Sequence, residues 1–328
     1  MKMKPRAVRN LAFAVGLALT LPSTPARGDH SGETPRIDVL IPPGTVVLEQ
    51  EGLRDGLREL GYIEGSSIAI EWRRHGQTER DLAQLEGALA QSKADLFVAF
   101  GTPGARSALS ATNKPVVFVA GDPVGAGLAA SLARPGGNGT GVSMLVAESV
   151  GKRMELLHQL VPRMRRIALL ENPDNPLDTL IFGKAQQAAR DLELQLITLE
   201  ARNAKELDGT LRALKRSVAD GMVVSPDSLF RPNQARIAQA TRDAGVPTIF
   251  PFYLDRNDGA LMSYGPSIKE ATRRMAVYVD KILKGARPSE LPIEQMSTFD
   301  LIIDLRVARA MNIRVSEDLL LRANEVLR

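Results

Sequence analysis

Short apolar runs alternate with amphipathic segments along almost the whole chain. Runs such as DLFVAFG (95–101) and PVVFVAG (115–121) have the length of strands, are rich in Val and Phe, and end at Gly. The segments between such runs repeat Leu, Ala or Met every three to four residues, as expected of helices that pack one face on a sheet. This alternation predicts βα units built on parallel sheets.

The strand pattern divides into two similar halves, connected by a helix predicted from about Glu148 to Leu160. The predicted strands of the first half are RIDVLIPP (36–43), SSIAIEW (66–72), DLFVAFG (95–101), PVVFVAG (115–121) and TGVSML (140–145). Those of the second half are RIALLEN (166–172), QLITLEA (195–201), GMVVSP (221–226), PTIFPF (247–252) and GALMSYG (259–265). We therefore predict an α/β protein with two doubly wound Rossmann-like lobes and parallel-type sheets.

The C-terminal part of the chain contains more elements than a second lobe needs. After Gly265 the pattern predicts a helix, one extended segment (293–305) and two short helices. We expect the chain to cross between the lobes after Gly265 and again near residues 295–298. The predicted first lobe then comprises residues 29–145 plus 266–296, and the second comprises residues 146–265 plus 297–328, joined by crossover segments.

The first 28 residues have the order of a secretory signal peptide. Basic residues precede an apolar run at residues 11–21, and small or turn-forming residues follow it. This run is shorter than the roughly 20 apolar residues that span a bilayer. We expect cleavage after Gly28 or Ala26 and export to the periplasm. The chain contains no cysteine, which excludes a lipid-anchored lipoprotein and a disulfide framework.

The charge balance changes once this segment is set aside. The whole chain has a formal net charge of +4, but five of its 42 Lys and Arg residues lie within residues 1–28, which contain no Asp or Glu. The remaining chain carries 37 basic and 38 acidic residues, a net charge of −1. This balance gives no electrostatic support for nucleic-acid binding, and we expect no nucleic-acid partner.

A glycine-rich turn follows the fourth predicted strand. The sequence GAGLAA, with Gly125, Gly127 and Ala130, matches the G-x-G-x-x-A fingerprint of dinucleotide-binding folds. In such folds the fingerprint follows the first strand of its unit and opens a long helix. Here the helix can run only from about Ala126 to Ala133 before RPGGNGTG ends it. We interpret the glycines as a tight turn rather than a nucleotide site, and we expect no cofactor.

Short polar residues next to proline recur where the predicted strands end. In parallel sheets, ligands bind outside the carboxyl ends of the strands. A proline in the first helical turn leaves neighbouring N–H groups free for a ligand. One such sequence is typical of an ordinary helix cap, but six of them in two lobes indicate a ligand cleft. The sequences are GTPG (101–104), GDP (121–123), NPDN (172–175), SPDS (225–228), PFY (251–253) and YGP (264–266).

The residues around these strand ends resemble the tryptophan/tyrosine-type family of ABC-transporter substrate-binding proteins. The matching segments are AFGTPGARSAL (99–109), KPVVFVAGDPVGAGLAASLARPGGNGTGVS (114–143), LMSYGP (261–266) and YVDKILKGARPSELPIEQMSTFDLIIDLRVARAMNI (278–313). The similarity extends over essentially the whole predicted mature chain, and the GDP…GGNxTG block is its most specific part. One departure is NIRVSEDLL (312–320), where family members usually have prolines before the last helix.

The resemblance implies a type I periplasmic binding protein fold, in which two lobes close on a small molecule. It also implies a role as the periplasmic substrate-binding component of an ABC importer, with a permease in the inner membrane as partner. Known ligands of the family are amino acids, aromatic ones among them, so we expect a small-molecule ligand of this class. By the same analogy, we expect a monomer.

An α-amino acid presents a carboxylate and an ammonium group, and a binding site must satisfy both. The carboxylate would lie at the helix N-terminus after the third strand, on the N–H groups around Gly104 and Ala105. The ammonium needs an acidic partner, for which Asp227 and Asp122 are the candidates. The candidate ligand-binding residues are Gly101, Thr102, Pro103, Gly104, Asp122, Pro123, Asn172, Asn175, Asp227, Tyr264, Thr45 and Tyr253. Further candidates for an aromatic wall are Trp72, Phe100 and Phe252.

Other classes of function remain open at this point. An α/β enzyme could use carboxylates at the same strand ends for acid–base chemistry, although the chain has no G-x-S-x-G nucleophile motif. We expect no metal, because His30, His75 and His158 are scattered and cysteine is absent. A ligand sensor that presents its bound state to a receptor would have the same sequence features as a transport protein. A sugar-repressor-like regulator would need an N-terminal helix-turn-helix where this chain has its predicted export signal.

Overall fold

Two sheets form the framework of the protein. The computed structural model describes residues 34–44, 47–76, 78–214, 218–252 and 255–328. The first sheet, in spatial order, consists of β2 (Ala69–Arg74), β1 (Arg36–Ile41), β3 (Leu96–Phe100), β4 (Val116–Ala120), β5 (Gly139–Ser143) and β11 (Glu294–Gln295). The second consists of β7 (Gln195–Glu200), β6 (Arg166–Glu171), β8 (Gly221–Val224), β9 (Thr248–Phe250), β10 (Met262–Pro266), β12 (Phe299–Asp304) and β13 (Glu325–Leu327). Strands β10 and β12 run antiparallel, and the other neighbouring pairs are parallel.

Helices pack on both faces of each sheet. In the first half of the chain they are α1 (Val47–Glu59), α2 (Glu79–Ala90), α3 (Thr102–Ala111), α4 (Val150–Leu160) and α5 (Pro176–Asp191). In the second half they are α6 (Ala204–Leu214), α7 (Gln234–Ala244), α8 (Ile268–Leu283), α9 (Leu305–Ala310) and α10 (Glu317–Arg322). Across the described ranges, none of these helices is both long enough and apolar enough to cross a bilayer.

The central strands of the first sheet are buried on both faces. Every residue of β3 and β4 is buried. Along β1, Ile37 and Val39 belong to the apolar cluster on one face of the sheet, whereas Leu40 belongs to the cluster on the other face. This burial on two sides explains why these strands appear in the sequence as continuous apolar runs rather than as alternating patterns.

The chain passes between the two sheets three times within the described residues. It first leaves the first sheet after β5, where Leu145 adopts a left-handed backbone conformation with φ of 49°. It returns after β10 to form α8, which packs on α1. It crosses again between β11 and β12. The extended segment predicted at 293–305 is therefore two strands in different sheets, because Glu294 pairs with Val142 of β5 whereas β12 pairs with β10.

The second strand begins later than the sequence pattern predicts. It was expected at 66–72, but β2 runs from Ala69 to Arg74. The residues before it form a turn, in which the Ile63 N–H donates to the Ser67 hydroxyl at 2.8 Å and this hydroxyl donates to the Gly61 carbonyl at 3.1 Å. Serine side chains that bond the local backbone in this way favour turns over strands.

The short helix predicted at 126–133 is absent, and a series of turns takes its place. The N–H groups of Leu128 and Ala129 both donate to the carbonyl oxygen of Pro123, at 2.8 and 3.2 Å. Gly127, directly before Leu128, has φ of 70°, a left-handed conformation that interrupts a helix and that glycine adopts without steric cost. The interpretation of the glycines as a tight turn agrees with this geometry.

Close packing of α1 on α8 depends on a glycine. A Cβ atom at Gly56 would lie 2.5 Å from the carbonyl oxygen of Arg273 and 2.8 Å from the Cβ of Ala276. Alanine is the better helix former by about 1 kcal/mol. Here, however, its methyl group would have to push two helices apart, and overpacking of this kind typically costs roughly 1–3 kcal/mol.

Gly56→Ala should therefore lower the free energy of unfolding by about 1–2 kcal/mol, since the packing cost exceeds the gain in helix propensity. Gly209→Ala in α6 is the matched control, because nothing lies within 4 Å of a Cβ atom at that position. This control should stabilise the protein by up to about 1 kcal/mol. Urea unfolding monitored by circular dichroism measures both changes. A Gly56→Ala protein as stable as the wild type would contradict the packing argument.

Candidate functional site

A cavity of about 630 Å³ lies between the two lobes, where the carboxyl ends of both sets of parallel strands face each other. Gly101 and Asp122, which follow β3 and β4, form part of its wall in the first lobe. Asn172 and Asp227, which follow β6 and β8, form part of its wall in the second lobe. A small molecule in this cavity would contact both lobes. The volume of the cavity is typical of ligand pockets.

The Asp227 carboxylate is held in the wall by three hydrogen bonds. Its Oδ2 accepts hydrogen bonds from the side-chain amides of Asn175 at 2.8 Å and Asn172 at 3.3 Å. Its Oδ1 accepts the N–H of Leu229 at 2.6 Å. Burial raises the pKa of Asp227, and these three donors oppose the rise. The structure thus brings together three of the candidate ligand-binding residues, Asn172, Asn175 and Asp227.

A second acidic side chain, Asp178, is buried directly behind this wall. Its Oδ1 accepts the hydroxyl of Ser225, and its Oδ2 accepts the backbone N–H of Asn172 at 2.7 Å. Burial raises the pKa of Asp178 to about 7, although both donors favour the charged form. The fully buried Arg153 lies close enough for the charge of Asp178 to raise the pKa of its guanidinium, against the larger lowering by burial.

The first-lobe wall contains the N-terminus of α3. Gly101 caps this helix with φ of 89°, and Thr102 and Pro103 follow it in the wall. The N–H of Ala105 donates to the Gly101 carbonyl at 3.3 Å, so it is used within the helix and does not serve a ligand as expected. Gly104 is buried and lies outside the wall, where a Cβ atom would come within 3.0 Å of His75 Nε2.

Asp122 closes the glycine-rich turn as well as facing the cavity. Its Oδ1 accepts the backbone N–H of Gly125 at 2.9 Å, and a Cβ atom on Gly125 would collide with its carboxylate. Aspartate commonly organises turns in this way. The first glycine of the G-x-G-x-x-A match is thus explained by a turn that presents an acid to the cavity.

One ion pair in the cavity wall joins the two lobes. Arg231, in the 3₁₀ turn before α7, places its Nη2 2.6 Å from Oε2 of Glu49 on α1. Arg231 Nε also donates to the carbonyl oxygen of Gly44 at 3.0 Å. Only 4 % of the Glu49 side chain and 20 % of the Arg231 side chain are exposed. Because both charged groups are largely buried, solvent weakens their attraction less than it weakens that of a surface ion pair.

Apolar and aromatic side chains complete the wall. Phe230 and Phe250 are buried, and the half-buried Phe252 packs against the core of the first lobe. Leu177 contacts the cores of both lobes. Charged groups in the described wall are mostly acidic. The acids are Glu49, Glu86, Asp122, Asp174 and Asp227, against the bases Arg106 and Arg231.

Several residues predicted for the site do not reach the cavity. Tyr264 lies in β10, where its ring stacks on Phe299 with 5.6 Å between centroids and packs against the core of the second lobe. Pro123 is buried within the glycine-rich turn. Trp72 lies within the edge strand β2 and donates its Nε1–H to Glu64 at 2.8 Å, and Phe100 is part of the first core. Neither forms part of the wall. Thr45 and Tyr253 fall outside the described residues.

Seven of the predicted residues do line the cavity: Gly101, Thr102, Pro103, Asp122, Asn172, Asn175 and Asp227. Glu49, Arg231 and Phe230 were missed. Phe230 and Arg231 follow Asp227 closely in SPDSLFR, so the strand-end pattern would have found them if extended by a few residues. Glu49 gives no such signal, because it reads as an ordinary acid in the first turn of a helix.

Comparisons with known proteins give one family model and several similar proteins. The family described as ABC transporter substrate binding protein matches residues 37–327. A tyrosine-binding protein from Clostridioides difficile (strain R20291) is 22% identical over 267 residues, which cover 81% of this chain and 76% of that protein. An ABC domain from Streptococcus pneumoniae, crystallised in complex with L-Trp, has a TM-score of 0.79 and 24% identity over 90% of this chain and 100% of that chain. A substrate-binding protein with adhesive properties from Clostridium difficile, in its ligand-free, open structure, has a TM-score of 0.67 and 21% identity over 90% of this chain and 99% of that chain.

The predicted fold class is confirmed. Two α/β lobes with mainly parallel sheets are present, and the solved structures that share this fold include periplasmic binding proteins and LacI-type transcriptional regulators. The predicted resemblance at the strand ends is confirmed by the family match over nearly all the described residues.

Proposed function

Because the chain belongs to the ABC transporter substrate binding protein family, we propose that it is the exported substrate-binding component of an ABC importer and that it binds an L-amino acid between its lobes. The observation that carries this proposal is the Asp227 carboxylate, held in the cavity wall by three N–H donors. A fixed, partly desolvated carboxylate is the partner that an ammonium group requires.

The two lobes would divide the recognition of the amino acid. Asp227 in the second lobe would bind the ammonium group. The N-terminus of α3 in the first lobe would receive the carboxylate, with the Thr102 hydroxyl and the positive end of the helix dipole. Arg106, one turn further along α3 and also in the wall, adds a positive charge on the same side. A ligand bound in this way bridges the lobes and stabilises their closed arrangement.

The side chain of the ligand would lie against the apolar part of the wall. Phe230, Phe250 and Phe252 offer aromatic surface there, which favours an aromatic side chain. The two relatives named for tyrosine and L-Trp support the same class. We therefore propose that the ligand is aromatic.

The partner and the location follow from the same proposal. The closed, liganded form would dock on a permease in the inner membrane. The order of basic, apolar and small residues within residues 1–28 supports export to the periplasm.

A panel of ligands tests the function. The purified protein is screened by thermal shift against the twenty L-amino acids and a set of monosaccharides, and positive results are measured by calorimetry. L-Tyr or L-Trp should raise the melting temperature, because a ligand at a hundredfold excess over its dissociation constant stabilises the folded state by about 2.7 kcal/mol.

Analogues of tryptophan serve as controls for the two charged groups. Tryptamine lacks the carboxylate and indole-3-propionate lacks the ammonium group, so both should bind at least tenfold more weakly than L-Trp. Equal binding of all three would contradict an amino-acid site. A response to a sugar, with none to any amino acid, would show that the cavity serves another class of ligand.

A further inference from the structure

Buried charges continue behind the ammonium-binding wall of the second lobe. Asp178, at the start of α5, is almost completely buried, and so is Glu171 at the end of β6. The nearest buried positive charge is Arg153 of α4, whose side chain is fully enclosed. Buried acids in such numbers resist being ionised together, because each charge lacks water and repels the others.

Asn172 connects Asp178 to the cavity. Its backbone N–H donates to Asp178 Oδ2 at 2.7 Å, and its side-chain amide donates to Asp227 Oδ2 at 3.3 Å. Ser225, which donates to the other oxygen of Asp178, precedes Asp227 by two residues. Asn172 therefore donates to both carboxylates. A charge bound at Asp227 is close enough to interact electrostatically with Asp178.

The charges that face Asp178 come from three other elements. Asp227 after β8 and Glu171 of β6 are negative, and both raise the pKa of Asp178. Arg153 of α4 is positive, but it donates to the carbonyl oxygens of Val224 at 3.0 Å and Val146 at 3.5 Å. Its Nε has no hydrogen-bond partner among the described residues. Arg153 thus compensates the acids from a distance rather than by pairing with one of them.

We propose that Asp178 is a ligand-linked proton site, which holds a proton while the cavity lacks a cation and releases it when the ammonium group of the ligand binds to Asp227. This inference rests on the proposed amino-acid site. Burial is the main reason why the ionised form of Asp178 is disfavoured, and repulsion from Asp227 adds to it. A cation bound at Asp227 offsets this repulsion and so favours release of the proton. Asp178 therefore acts as a positioning residue behind the wall rather than as a contact of the ligand.

Linkage gives the direction of the pH dependence. Because binding displaces a proton, the affinity should rise with pH through the neutral range and level off once Asp178 is ionised in the free protein. Because only one proton is displaced, the affinity for the ligand can change by at most about tenfold per pH unit. The pKa of Asp178, about 7, places the steepest part between roughly pH 6 and pH 7.

Calorimetry measures the released proton directly. Binding of L-Trp and L-Tyr is measured at pH 7 in buffers that differ in ionisation enthalpy, which yields the number of protons released. The wild type should release a fraction of a proton, at most about half for a group at its midpoint, and Asp178→Asn should release close to none. Asp280→Asn is the matched control, a largely buried acid of α8 that bonds Tyr62 away from the cavity, and it should behave as the wild type. Equal proton release by the wild type and Asp178→Asn would overturn the proposal.

A measurement without ligand separates this proposal from the proposed function. Carbon-13 NMR titration of the Asp carboxyl groups, with Asp178→Asn used for assignment, should show Asp178 ionising near pH 7 in the free protein. Ionisation below pH 5 would overturn the proton site even if amino acids bind. If neither L-Trp nor L-Tyr binds, the proposed function fails and the titration alone decides the proton site. If Asp178→Asn does not fold, Ser225→Ala replaces it, because loss of this donor should move the ionisation of Asp178 to higher pH.

Discussion

Asp227→Asn should weaken binding of the amino-acid ligand by roughly a hundredfold. The carboxylate is held by Asn172, Asn175 and the N–H of Leu229, so it meets the ammonium group without reorganisation. Asparagine has nearly the same shape but no charge. Its side-chain NH₂ group would face N–H donors in either orientation, because both oxygens of Asp227 accept hydrogen bonds. A charge-assisted hydrogen bond contributes about 1.5–3 kcal/mol, which corresponds to roughly 10- to 150-fold in affinity.

Calorimetric titration with L-Trp or L-Tyr at pH 8 measures this loss. The matched control is Asp174→Asn, because Asp174 also belongs to the cavity wall but is exposed. Exposed charges interact weakly, so this substitution should change the affinity by less than about threefold. Indole-3-propionate should bind Asp227→Asn, Asp174→Asn and the wild type with similar affinity, since it has no ammonium group. A large loss in Asp174→Asn with none in Asp227→Asn would place the ammonium elsewhere in the cavity.

Glu49→Gln should make ligand dissociation roughly tenfold to thirtyfold faster, with a smaller effect on association. The substitution removes the charge opposite Arg231 and so destabilises the arrangement in which the two lobes meet. Breaking a fully buried ion pair costs about 3–5 kcal/mol. Here the expected cost is lower, about 1.5–2 kcal/mol, because the Arg231 side chain is 20 % exposed and water can solvate its charge.

Stopped-flow fluorescence of the bound ligand measures the dissociation rate. Glu51→Gln is the matched control, an exposed acid on the same helix that lies outside the cavity wall. Small-angle scattering adds a structural measurement, because the unliganded Glu49→Gln protein should have a larger radius of gyration than the wild type. Unchanged dissociation and an unchanged radius would show that Arg231 and Glu49 do not hold the lobes together.

Apolar periodicity predicted the two-lobed fold because this fold is made of repeated local units. Each buried parallel strand appears as a continuous apolar run, as in β3 and β4, which are rich in Val and Phe. Periodicity alone does not divide the segment 293–305 between the sheets, and the crossing near 295–298 was expected only from the surplus of elements after Gly265. Both β11 and β12 are extended, and which sheet each strand joins depends on distant partners in β5 and β10.

In the site too, local patterns predict some residues, whereas others depend on contacts between distant parts of the chain. Asp227, Asn172 and Asn175 were predicted because strand ends in a parallel sheet meet at one edge. Tyr264 also stands at a strand end, yet its ring lies on the face of β10 that packs against Phe299. Asp178 was overlooked because an acid in the first turn of a helix normally favours the helix dipole at the surface. Its hydrogen bond with Ser225 results from the packing of α5 beside the end of β8, which the sequence around Asp178 does not reveal.

The carbonyl oxygen of Val146 has a mechanical consequence. It accepts hydrogen bonds from the hydroxyl of Ser149 at 2.9 Å and from Arg153 at 3.5 Å, and both donors belong to the second lobe. The Val146 side chain, in contrast, is buried in the apolar cluster of the first lobe. The crossover after β5 is thus hydrogen-bonded to one lobe and packed in the other. A change in the angle between the lobes would therefore disturb the contacts of Val146 on one of its two sides, which gives the movement a cost beyond backbone rotation alone.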